Sequence, residues 1–196
     1  MPRRHNPDQL TLFPLDDVPT PMVSYSVIIS PPDNITDHVK FMENQAYHLL
    51  PEVKHRYSKA HISLLKLPAK EEDAWIINLV KNAVAALPSF EVGLNGCEIF
   101  PHGYTSDSLV LRISNPQPII ELHKLLFKAL KRKPLKIAPH MTIVKDIPHN
   151  KLRKIDLSGF EYYDSFLCRK ITILKKKPGD KQYDILFEVL LSVPQE

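Results

Sequence analysis

Residues 60–66 read Ala60-His61-Ile62-Ser63-Leu64-Leu65-Lys66, and residues 139–145 read Pro139-His140-Met141-Thr142-Ile143-Val144-Lys145. From the histidine onward, both run histidine, apolar, hydroxyl, apolar, apolar, lysine. Each is a short aliphatic run with the character of a strand. Each also follows a helical pattern. The first spans Thr36–Leu50, with Asn34 or Thr36 as its cap and Pro51 as its stop. The second spans Pro118–Lys131, with Ile119, Leu122, Leu126 and Leu130 on one side. A helix leading into a histidine-opened strand therefore occurs twice, and the echo points to two related lobes.

Outside these units the chain supplies more strands than helices. Val23–Ser30 is a β-prone run that ends at Pro31-Pro32. Glu71–Leu87 is the clearest helix: Ile76, Leu79, Val80, Ala83, Val84 and Leu87 recur at helical spacing, acids occupy its first turn, and Pro88 closes it. Strands are expected at Phe90–Leu94, Cys97–Phe100, Ser108–Ser114, Phe160–Phe166, Lys170–Leu174 and Tyr183–Leu191. The basic turn Lys175–Lys181 joins the last two as a hairpin. Hairpin-like strand pairs with only three helices favour an α+β arrangement over a doubly wound parallel sheet. Residues 1–22, rich in proline and charge, read as an extension with little regular structure, and residues 23–194 as one domain.

Composition removes several classes of function. The chain has 196 residues, of which 43% are apolar, and no stretch is long and apolar enough to span a bilayer. Its first residues lack the apolar run of a signal peptide, so a cytoplasmic protein without membrane contact is expected. Cys97 and Cys168 form no CxxC pair, which argues against a disulfide scaffold and a cysteine-built zinc site. The five glycines assemble no GxGxxG or GxxxxGK, and HExxH is absent. The expectation is chemistry done by side chains, with no cofactor and no metal. From Lys124 to Lys154, ten basic residues accompany a single acid, Asp146. Such a stretch favours polyanionic ligands through counterion release, or else forms a solvated lysine-rich face.

H-x-[S/T] alone is weak, since nine histidines and 18 serines plus threonines supply about one occurrence by chance. The shared context gives it weight. Side chains at i and i+2 of a strand share a face about 6.5–7 Å apart, so a histidine and a hydroxyl can grip one phosphate. Two such strands facing each other set imidazoles on opposite sides of a phosphorus atom. Histidine titrates near pH ~6.5, so one ring takes a proton from water while the other gives one to the leaving oxygen. Ser63 and Thr142 would donate to the non-bridging oxygens. The order of His61 and His140 as base and acid stays open.

The two motifs, 79 positions apart, resemble the paired H-x-[S/T]-x signature of the 2H phosphoesterases, which include bacterial and archaeal 2′-5′ RNA ligase-like proteins. The resemblance runs from about Val23 to Leu191. Glu98-Ile99-Phe100-Pro101 followed by Leu109-Val110-Leu111 is similar to the family's "FP" strand and loop. Pro139-His140-Met141-Thr142 is similar to its "PHxT" segment, and Phe166, Ile171–Leu174, Tyr183 and Leu186-Phe187 to its closing hairpin. The resemblance implies a bilobal fold in which two pseudo-two-fold-related, mainly antiparallel sheets face a central cleft, with helices outside. It also implies hydrolysis of a 2′,3′-cyclic phosphate of RNA or a nucleotide by His61, Ser63, His140 and Thr142. Lys145 and Tyr104 are then candidates to bind substrate. Many members carry arginine where Lys145 stands; lysine keeps the charge and loses the bidentate fork. Simple alternation puts Lys145 on the face opposite His140, so a role for it requires a strand end or a bulge.

Tyr104 and His102 follow Phe100-Pro101, where an aromatic would stack on a base; Tyr25 and Tyr57 invite the same idea. His55 and His61 lack the spacing and the third ligand of a metal pair. Gln9-Leu10-Thr11-Leu12-Phe13 resembles the QLxLF-type peptide that docks bacterial proteins on the replication sliding clamp, though packing of Leu10, Leu12 and Phe13 on the domain is the plainer reading. Three functions follow: cyclic phosphodiester hydrolysis, reversible 2′-5′ RNA ligation by the same groups, or non-catalytic binding of RNA or nucleotide.

Overall fold

Pro31-Pro32 ends the first strand and starts the first helix. The computed structural model describes residues 22–193 apart from 52, 54–57 and 103, with the backbone alone at 102. In it β1 spans Met22–Ile29 and α1 spans Asp33–Leu49. The Thr36 N–H donates to the Pro32 carbonyl at 3.0 Å, so the helix begins ahead of the expected Thr36. Asp33 in the first turn suits the positive end of the helix dipole.

The remaining elements are β2 (Ile62–Lys70), α2 (Asp73–Val84), β3 (Phe90–His102), β4 (Ser106–Ile113), α3 (Gln117–Ala129), β5 (His140–Pro148), the four-residue α4 (His149–Leu152), β6 (Tyr163–Cys168), β7 (Lys170–Lys176) and β8 (Asp184–Leu190). A 3-10 turn at Leu157–Phe160 and the short α4 are not foreshadowed by the sequence pattern. The two strands expected at 90–94 and 97–100 are one strand, bulged between Leu94 and Cys97. Gly96 makes the bulge: its φ is +70°, its N–H donates to the Tyr162 carbonyl at 2.9 Å, and a Cβ there would collide with the Glu161 carboxylate.

All named strands pair antiparallel, in the order β6-β3-β4-β5-β2-β1-β7-β8. This is the α+β class, and each half repeats one plan: β1, α1, β2 in one and β4, α3, β5 in the other. Where the family resemblance implies two sheets, the halves hydrogen-bond into one, joined through the register pair Ile62–Met141. Both residues are fully buried, and leaving the inner edges of β2 and β5 unpaired there would strand backbone polar groups in the core. The helices cross over the join: α1 packs on β5, and α3 packs on β2 and α2.

The core lies between these helices and the sheet face bearing Val27, Ile29, Ile62 and Met141. No helix among the described residues is long and apolar enough to cross a membrane. Residues 1–21, with the Gln9–Phe13 peptide, lie outside the described residues, as do His55 and Tyr57.

Candidate active site

The lysine that alternation sends to the wrong face is returned by a bulge, and this happens twice. Between β1 and β2 the register steps from Val27–Leu65 to Ile28–Ser63, so Leu64 is an extra residue. Between β4 and β5 it steps from Leu109–Val144 to Val110–Thr142, so Ile143 is the extra residue. The bulge thus falls immediately after the hydroxyl residue in both motifs. An extra residue inverts the alternation beyond it. Burial follows: Leu64-Leu65 and Ile143-Val144 are consecutive buried pairs, and the exposed Lys66 and Lys145 return to the face of the histidines. The β2 bulge is braced from α3, where His123, buried, donates from Nδ1 to the Leu64 carbonyl at 2.8 Å.

Ile62 and Met141 face each other across the join. One ladder step to either side sets His61 opposite Thr142 and Ser63 opposite His140, all on one face of the sheet. The two histidines then stand at diagonal corners, about 7–8 Å apart for such neighbours on a ladder. The floor is apolar: Ile28 and Val110, in register with Ser63 and Thr142, are buried but stand outside the main core. A cleft of about 140 Å³ is bounded by His61, Ser63, Thr142, Lys145, Lys59 and Glu43. His140 is not in that wall; its ring packs on Phe100 with centroids 4.8 Å apart. A larger cavity of about 510 Å³, between Leu49 and Lys154, shares no residue with either motif.

Both imidazoles are held the same way. His61 Nδ1 lies 2.8 Å from the Lys59 carbonyl, and His140 Nδ1 lies 2.8 Å from the Ala138 carbonyl. A carbonyl only accepts, so Nδ1 carries the hydrogen and Nε2 is free to take or give a proton. Burial pushes the His61 pKa below its ordinary value; the Lys59 carbonyl opposes this, and the positive charges of Lys145 and His140 lower it further. His61 is therefore biased towards its neutral, proton-accepting form. Among the described residues, no cluster of three or more His, Cys, Asp or Glu could hold a metal ion.

Other candidates fall elsewhere. Tyr104 is fully exposed in the turn between β3 and β4 and does not line the cleft. Tyr25, offered as a stacking residue, is 1% exposed, and its hydroxyl donates to Asp73 Oδ1 at 2.7 Å. It is a core residue because it falls on the inward phase of β1. The basic run does not gather at the cleft: of its members only Lys145 lines it, and Arg153 is held at 2.9 Å by the buried Asp107. Sequence reasoning missed Glu43, a buried acid on the α1 face that also carries Val39, Met42 and Ala46. The signal was there, since a carboxyl on an apolar helical stripe needs a reason. Burial raises its pKa to about 7, against a small opposing effect of Lys40.

Residues 31–179 match the 2′-5′ RNA ligase superfamily. No curated protein is significantly similar to the chain. Among solved structures, apo LigT of E. coli is similar with a TM-score of 0.65 at 20% identity, over 88% of this chain and 99% of LigT. A structure described as a phosphoesterase gives 0.63 at 19% identity, over 88% and 99%. A Thermus thermophilus protein gives 0.61 at 15%, over 89% and 100%. At such identities the likeness shows a shared fold.

Proposed function

The chain belongs to the 2′-5′ RNA ligase superfamily, a family of 2H phosphoesterases, and from that premise we propose that it opens a 2′,3′-cyclic phosphate at the end of an RNA or on a nucleotide. The observation that carries this reading is the Ile62–Met141 pair, which sets two histidine–hydroxyl motifs on one sheet face. Neutral His61 takes a proton at Nε2 from the attacking water. The water oxygen bonds to phosphorus, one ribose oxygen leaves, and His140 Nε2–H supplies the proton that oxygen needs. Ser63 and Thr142 hydroxyls donate to the non-bridging oxygens, and the Lys145 ammonium offsets the charge that builds on them. The order follows from His61 being the ring held neutral by burial and by neighbouring positive charge.

E. coli LigT has been crystallised with phosphate and with 3′-AMP, which supports a phosphate-bearing nucleotide as the ligand class here. Ligation of 2′,5′ ends would run the same groups in reverse, so product analysis separates the two reactions. The test is incubation with 2′,3′-cyclic mononucleotides and a cyclic-phosphate-ended RNA, followed by identification of the product isomer. A ring-opened monophosphate is expected, and the absence of turnover on every such substrate overturns the reading.

A further inference from the structure

The sheet face that carries His61 and Ser63 continues outward over the N-terminal half. Register sets Ile28 opposite Ser63, Ser26 opposite Lys66 and Ser24 opposite Lys176. Directly opposed residues of antiparallel strands share a face, as do alternate residues of one strand. Ser24, Ser26, Lys66 and Lys176 therefore extend the cleft face away from the histidines. Tyr183, just ahead of β8, is fixed on this row, with its hydroxyl 2.8 Å from Ser24 Oγ. Lys66 Nζ lies 5.7 Å and Lys176 Nζ 5.9 Å from the centre of its ring.

Two ammonium groups gathered on one ring repel each other, and among the described residues no carboxylate pairs with either. Lys176 Nζ donates to the Lys181 carbonyl at 3.3 Å, a neutral partner that leaves its charge in place. The nearby acids are engaged elsewhere. Glu71 and Asp73 both hold Lys175, Asp180 accepts the Lys177 N–H, and Glu188 holds Lys170; Asp184, beside Tyr183, is in register with Lys175 and so shares the face opposite Lys176. On the matching face of the C-terminal half, Arg112, opposite His140, is accompanied by the acid Glu98, opposite Val110. Apart from Lys145 at the cleft itself, the uncompensated charge on this face is thus on the N-terminal half. Cations organised by an aromatic ring without a counter-charge form a site for an anion.

We propose that Lys66, Lys176 and Tyr183 form a second anion subsite, which holds a phosphodiester of an RNA strand whose terminal phosphate lies in the histidine cleft. The proposal rests on the phosphoesterase reading for what occupies that cleft. With Leu64 bulged out, Lys66 stands two ladder steps beyond Ser63, about 7 Å along the strand, which suits the phosphate of a neighbouring nucleotide. The substrate is then a chain end, preferred over a free cyclic mononucleotide.

The probe is a short 5′-fluorescein-labelled oligoribonucleotide ending in a 3′-phosphate, titrated by anisotropy at several salt concentrations. The Lys66→Ala, Lys176→Ala double variant should bind about tenfold more weakly, and its salt slope should fall by about 0.7 for each phosphate that is no longer neutralised. Tyr183→Ala should move both readouts in the same direction, and Lys128→Ala, which removes a charge from the outer face of α3, should move neither. In parallel, the ratio of kcat/KM for a cyclic-phosphate-ended oligonucleotide over a cyclic mononucleotide should collapse in the double variant. Wild-type affinity and slope in a folded double variant overturn the subsite. If the wild type turns over neither substrate, the phosphoesterase reading fails, while the binding comparison still decides whether the subsite exists.

Discussion

Ile62 and Met141 oppose each other at the middle of the sheet, each fully buried, and this pair carries the register between the two halves. Every geometric relation between the histidines depends on it, because a slip of one residue would move one motif to the core face.

Truncating Met141 should therefore harm both stability and catalysis. Met141→Ala removes a side chain with no exposed surface and should cost about 2–5 kcal/mol. Denaturant midpoints would measure the loss, and turnover measured where the variant is still folded should also fall. An unchanged midpoint would contradict the buried join.

Removal of either imidazole tests the acid–base roles. His61→Ala and His140→Ala should each lower kcat by about 10²–10⁴. Because the two act on one proton-transfer sequence, the double variant should lose little more than either single one. Full activity in the double variant would end the two-histidine account.

The pH profile distinguishes base from acid. The His61 pKa is lowered by burial and then by Lys145 and His140, so His61 stays neutral to a pH below the ordinary histidine range. The rising, base-dependent limb of kcat/KM should lie below pH ~6.5. Lys145→Ala removes one of the lowering charges and should shift that limb upwards. It should also reduce kcat/KM about 10–100-fold, as for a lost hydrogen bond to a charged group. A limb that does not move would separate Lys145 from His61.

Glu43 makes stability pH-dependent in a definite direction. Its folded pKa is raised from 4.5 to about 7 by burial. Between those values the native state holds a proton that the unfolded chain has lost, so stability falls as pH rises through that window. Glu43→Gln keeps the shape without the charge and should flatten this dependence, leaving the variant more stable than the wild type above pH ~7. Thermal midpoints across pH 4–8 would show it, and parallel curves for the two proteins would refute it.

Much of this molecule is legible from the chain. The aliphatic runs at 61–66 and 140–145, the prolines at 31, 32 and 88, and the leucine spacing of 118–131 place the strands and helices because each reports a local preference. The wall residue Glu43 and the burial of Tyr25 are less legible, since both depend on which element packs against which. The division of β3 into two expected strands has the same origin: Gly96 reads as a break, and only its neighbours Tyr162 and Glu161 make it a bulge within one strand.

The sequence by itself determined the chemistry on offer: two histidines, each two residues from a hydroxyl and five from a lysine. Local alternation then contradicts itself, because a lysine five residues on belongs to the opposite face. Only the tertiary structure resolves this. Leu64 and Ile143 are set out of register against the strands beside them, and the β2–β5 pairing brings two distant motifs side by side on one sheet face. Both are long-range effects, written in no single segment, because a bulge and a register exist only between two strands.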